Sequence, residues 1–101
     1  MTLTITKNKT ENCCVLSLAG RIDTTTALEL QPELEQAIDE NKKVALDFAE
    51  AAYVSSAGLR VILAGEKRAK ARGSVMTLIN VSKDIMEVFD MTGFTDILKF
   101  E

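Results

Sequence analysis

The chain has 101 residues, 47% of them hydrophobic and 27% charged, with a net charge of −3. That length supports one modest core and one domain, residues 1–101, and no apolar run reaches the ~18 residues of a membrane span. The chain contains no histidine. This removes the Ser-His-Asp triad, the Cys-His dyad, histidine metal sites and the commonest general base near neutral pH.

In chain order, TLTITK (2–7) alternates in polarity and predicts a first strand, with no signal-peptide apolar region at the N-terminus; the expected location is cytoplasmic. KNKTEN reads as a hairpin turn, and NCCVLSLA (12–19) as a second strand ended by Gly20. Cys13 and Cys14 are neighbours on that strand, so they point to opposite faces and form neither a disulfide nor a metal pair. Ala27, Leu30, Leu34, Ala37 and Ile38 recur at helical spacing, with a threonine before them to cap the start. Pro32 inside this helix predicts a kink or a restart.

KVALDF (43–48) reads as a buried strand and AEAAY as a loop. A second helix then carries Leu59, Ile62 and Leu63 on one face and stops at Gly73. VMTLIN (75–80) is a further strand, Ser82 caps a short helix that ends at Gly93, and ILKF (97–100) is a last strand. The order ββαβαβαβ predicts an α/β fold: a mixed central sheet with helices packed on it and parallel neighbours across each crossover.

Charge is segregated. Ile22 to Glu40 holds six acids and no base, whereas Arg60 to Arg72 holds five bases and Glu66 as its one acid. Both segments read as solvated helix faces. The basic one has no aromatic side chain on which bases could stack, which argues against direct nucleic-acid binding.

The string YVSSAGLRVIL (53–63) puts two hydroxyls at the mouth of the second helix. Ser55 or Ser56 can cap the helix, and Gly58 permits close helix–sheet approach. A catalytic serine would need Asp23 or Asp47 as its base, and a carboxylate of ordinary pKa is a poor base for a hydroxyl. The glycines match neither a nucleophile elbow, a P-loop nor GxGxxG. The third reading is a phosphoacceptor, since helix N-termini tolerate phosphate. Binding crevices of such sheets lie outside the carboxyl ends of the strands, which predicts that Asp23, Asp47, Ser55 and Ser56 share one edge.

GRIDTTTALEL (20–30), VALDF (44–48), YVSSAGLRVIL (53–63) and VFDMTGFTDILKF (88–100) together resemble the STAS domain, and the isolated domain resembles bacterial anti-sigma-factor antagonists. The resemblance implies a non-enzymatic switch without cofactor or metal. A partner that is both anti-sigma factor and serine kinase phosphorylates a serine at the start of the second helix. The unphosphorylated form binds this kinase and frees a sigma factor, and a serine phosphatase resets the switch. The family string Asp-Ser-Ser/Thr-Gly-Leu makes Ser56 the acceptor, with Ser55 as the alternative. It places Ser55 where the family has an acid and Ala57 where it has a hydroxyl; Gly58 and Leu59 match, and Asp23 matches the acid of the Gly-x-Leu-Asp turn. Asp23, Ser55, Ser56, Ala57, Gly58 and Leu59 are the implied partner-binding residues. A second branch of the family, cytoplasmic subunits of phospholipid-transport ABC systems, needs no phosphoserine.

Overall fold

Alternating apolar residues build the first two strands. In the computed structural model, which describes residues 3–101, β1 spans Leu3–Lys9 and β2 spans Cys13–Ile22. Thr2, placed in the first strand by its sequence pattern, lies outside the described residues. The strands pair antiparallel from Leu3 against Gly20 to Lys9 against Cys14. The predicted turn is therefore shorter, with Thr10 donating its N–H to the Cys13 carbonyl at 2.8 Å.

The remaining elements are α1 (Ala27–Glu40), β3 (Lys43–Val54), α2 (Ser56–Arg72), β4 (Val75–Ile79), α3 (Lys83–Met91), a 3₁₀ turn at Phe94–Asp96 and β5 (Lys99–Phe100). The sheet order is β1-β2-β3-β4-β5, with every pair after the first parallel. Three right-handed crossovers that step in one direction place their helices on one face. Cys14, Leu16 and Leu18 of β2, Val44, Leu46 and Phe48 of β3, and Met76 and Leu78 of β4 are buried on that face. The Phe89 ring of α3 meets Phe48 at 6.1 Å and Phe100 at 5.4 Å, both edge-on. Cys14 is buried and Cys13 half-buried, on opposite faces as expected; desolvation pushes the Cys14 thiol up.

Two strands are longer than their sequence patterns. Gly20 does not end β2: at φ 113° it sits in an irregular stretch, and the strand continues to Ile22. AEAAY is not a loop: β3 runs on through it to Val54, paired with β2 as far as Ile22 against Val54. β4 stops beside Asp47, so β3 projects seven residues past it and β2 five. α1 passes through Pro32 without restarting. Pro32 and Leu28, whose carbonyl loses its partner, are both exposed, so water can reach the orphaned acceptor.

The acidic and basic helices are not merely solvated. Asp39 of α1 accepts a two-pronged pair from Arg68 of α2 at 2.9 and 2.7 Å, and Arg72 adds a contact at 3.0 Å. The Arg68 guanidinium holds the Asp39 carboxyl below its ordinary 3.8. Asp23 is depressed too, chiefly by the Thr26 N–H. A carboxylate depressed in the folded state contributes stability above its unfolded pKa, and that stability is lost as pH falls through the folded value. Urea midpoints should hold above pH ~5 and fall progressively below pH ~4. In Asp39→Asn the neutral-pH midpoint should be lower and the acid-side fall shallower; identical pH profiles would remove Asp39 from the account.

Candidate functional site

The site is the projecting end of β2 and β3, where two helices begin. β2 ends at Ile22, and the chain turns at Asp23. The Asp23 Oδ1 accepts from the Thr25 and Thr26 N–H groups, both at 3.0 Å. Thr26 Oγ1 in return accepts the Asp23 N–H at 2.8 Å and donates to the Arg21 carbonyl at 2.7 Å. This reciprocal pair has the pattern of a capping box, with Thr26 in the usual Glu position. A threonine, Thr26, does hold the N-cap position of α1 but its side chain makes no cap bond to the helix; the Asp23 carboxylate instead satisfies the N–H groups of the turn that leads into it.

β3 ends at Val54, and the Ser55 N–H donates to the Ile22 carbonyl at 2.8 Å. That bond sets the serine loop beside the Asp23 turn and fixes which serine does what. Ser55 has extended backbone and is the N-cap, its hydroxyl accepting the Gly58 N–H at 3.2 Å. Ser56 is the first helical residue, and its side chain is exposed. Ala57 is half-buried, while Gly58 and Leu59 are buried. A Cβ on Gly58 would lie 2.7 Å from Ile22 Cγ2 and 3.2 Å from the Ile22 carbonyl, so the helix mouth rests directly on the strand ends. Asp23, Ser55 and Ser56 are brought together as expected.

Asp47 is not part of this edge. It pairs beside Ser17 and Ile79, eight residues before Ser55, or roughly 25 Å of extended strand. Its Oδ1 accepts the Ala49 N–H at 2.9 Å and the Asn80 side-chain amide at 3.0 Å. Asn80 itself has φ 56°, a left-handed conformation that asparagine tolerates. Asp47 lines a separate hollow of about 300 Å³ with Thr6, Ser17, Ala19 and Glu50. The shared-edge expectation failed for Asp47 because it assumed a strand ending at Phe48.

Sequence reasoning also missed neighbours of the site. The Arg21 guanidinium lies 4.2 Å from the centroid of the half-exposed Tyr53 ring, a cation–π pair on the last turn of the ribbon. Leu28, in the first turn of α1, is 70% exposed. The alternation of β2 and β3 could have found Arg21 and Tyr53 as a cross-strand pair once β3 was extended.

Ser55→Ala should cost about 1 kcal/mol, the value of an N-cap, while Ser56→Ala should change stability by less than about 0.5 kcal/mol. Equal losses in paired urea melts would contradict the division of labour between the two hydroxyls.

The family described as "Mlab, STAS domain" matches residues 5–99. The chain belongs to the STAS domain family. Among curated STAS relatives, BtrV of Bordetella bronchiseptica, whose name assigns it provisionally to the anti-sigma factor antagonists, is 31% identical over 92% of this chain and 81% of its own length. The anti-sigma-B factor antagonist of Bacillus subtilis is 28% identical over 97% of this chain and 90% of its own length. The fold also matches SpoIIAA, a Bacillus cell fate determinant solved in its phosphorylated form, with a TM-score of 0.75 at 18% identity over 97% of this chain and 91% of that one. The five-stranded mixed sheet is thus a STAS sheet. Among the described residues no helix is long and apolar enough to cross a membrane.

Proposed function

We propose that this STAS domain is an anti-sigma factor antagonist, a binding switch set by phosphate on Ser56. The observation that carries the reading is the exposed Ser56 hydroxyl at the first position of α2, beside a cap already supplied by Ser55. The relatives named anti-sigma factor antagonists support the same reading. The partner is an anti-sigma factor that is also a serine kinase. It transfers the γ-phosphoryl group of ATP to Ser56 Oγ: the O–P bond forms, the bond to ADP breaks, and the hydroxyl proton leaves to a base of the kinase. A serine phosphatase returns the hydroxyl by hydrolysis, releasing inorganic phosphate. ATP belongs to the kinase, and this chain supplies no catalytic group.

The mechanism is differential binding. Asp23, Ser55, Ser56 and Ala57 form the contact surface, and buried Gly58 and Leu59 hold the helix mouth in place. Phosphate brings about −1.5 to −2 charges into that surface, where repulsion and desolvation disfavour the complex. A 100-fold weakening needs only about 2.7 kcal/mol. Titration calorimetry of the kinase against the unphosphorylated and phospho-Ser56 forms should show at least this ratio; equal affinities would exclude the switch.

A second reading, the subunit of a phospholipid-transport ABC system, is favoured by one observation: Ser55 stands where antagonists of this type carry an acid. It predicts that affinity capture retrieves a transporter ATPase in place of a serine kinase, and that Ser56→Ala is silent.

A further inference from the structure

Resting on Ser56 as the phosphoacceptor, we propose that Arg60 holds the phosphate, in an intrahelical pair with phospho-Ser56. Ser56 and Arg60 lie four residues apart in α2, and both side chains are exposed. Residues at i and i+4 share one helix stripe, with Cβ atoms about 5–6 Å apart, so a guanidinium reaches a phosphate one turn before it. Among the described residues no carboxylate forms an ion pair with Arg60. The first turn of α2 contains no acid, and its cap is the neutral Ser55. A phosphate on Ser56 would therefore meet no local anion on its own helix. Its nearest charged neighbour on that stripe is a cation able to donate two N–H groups to it.

The pairing gives the switch two parts. Without phosphate, Arg60 is an exposed cation one turn from the acceptor hydroxyl and can meet a carboxylate of the partner. With phosphate, the new anion also withdraws that cation from the contact surface. A chain with serine at position 55 thereby still changes its surface charge sharply, although that position carries no fixed acid and the neighbouring Asp23 is held by the Thr25 and Thr26 N–H groups of its own turn.

The test uses protein carrying phosphoserine at position 56 from ligation or genetic encoding, so that no kinase is needed. Its phosphate is titrated by phosphorus NMR in the wild-type, Arg60→Gln and Arg60→Lys backgrounds. Phosphoserine ordinarily takes up its second proton near pH 6. The wild-type value should lie about 0.4 unit below that of Arg60→Gln, and Arg60→Lys should recover part of the difference. The gap should close near 1 M salt, where the screening length is about 3 Å. Coincident wild-type and Arg60→Gln curves at low salt would overturn the pairing. That failure is separate from failure of the switch, which is read from phosphate uptake and partner binding.

Discussion

Lys99→Met is expected to destabilise the protein by about 2 kcal/mol, although Lys99 is an exposed residue of a two-residue edge strand. The reason is Glu66. This carboxylate sits on the sheet-facing stripe of α2 with its side chain only 2% exposed, and it receives Lys99 Nζ at 3.2 Å and Lys70 Nζ at 3.8 Å, both on Oε2. Its Oε1 is buried and has no hydrogen-bond partner among the described residues. Removing one partner of a buried pair leaves a charge without compensation, which typically costs about 3–5 kcal/mol; the remaining Lys70 reduces that here. Glu66→Met, which removes the charge and the orphaned oxygen together, should be neutral or stabilising. Urea melts of both variants decide the matter. A larger loss in Glu66→Met than in Lys99→Met would make the carboxylate a net stabiliser and refute the account.

Gly58→Ala should cost about 1–2 kcal/mol. Alanine gains about 1 kcal/mol over glycine in a helix interior, but overpacking costs about 1–3 kcal/mol. The overpacking term prevails because the new Cβ meets the Ile22 carbonyl at 3.2 Å as well as Ile22 Cγ2 at 2.7 Å. A backbone oxygen that also accepts the Ser55 N–H cannot move without disturbing the serine loop. Gly65→Ala is the control. Its Cβ would lie 2.6 Å from Leu34 Cδ2 and 3.3 Å from Leu34 Cγ and Met76 Sδ, so its three nearest neighbours are side-chain atoms and none is backbone. Gly58→Ala should therefore be the more destabilised of the two and, under the proposed switch, the poorer phosphoacceptor. The reverse order in denaturant would show that the helix mouth is not the tightly packed point of the site.

The legible parts of the sequence were those set by local periodicity. Helical spacing from Ala27 to Ile38 identified α1, and Gly73, left-handed at φ 72°, ended α2 as its sequence position implied. Ser82 caps α3, as expected, by accepting the Ile85 N–H at 3.2 Å. What escaped was set by tertiary pairing. The segment AEAAY has four small or charged residues of low strand propensity ahead of Tyr53, and its ladder with β2 makes it a strand. The error over Asp47 follows from that one boundary. The roles of Ser55 and Ser56 were ambiguous because adjacent hydroxyls satisfy the same capping preference. A one-residue matter of register, the pairing of Val54 with Ile22, separates them. Glu66 looked like one more charge on a solvated face, since an i,i+4 partner in Lys70 is available to exposed and buried acids alike.

The central claim is that Ser56, freed from capping by Ser55, accepts the phosphate. The direct measurement is to incubate wild-type, Ser55→Ala and Ser56→Ala proteins with the cognate anti-sigma kinase and ATP, then map phosphate by peptide mass spectrometry. The account predicts one phosphate on Ser56 in the wild type and in Ser55→Ala, none in Ser56→Ala, and retained kinase binding by Ser56→Ala. Undiminished phosphorylation of Ser56→Ala, or phosphate mapped to Ser55 in the wild type, would contradict it.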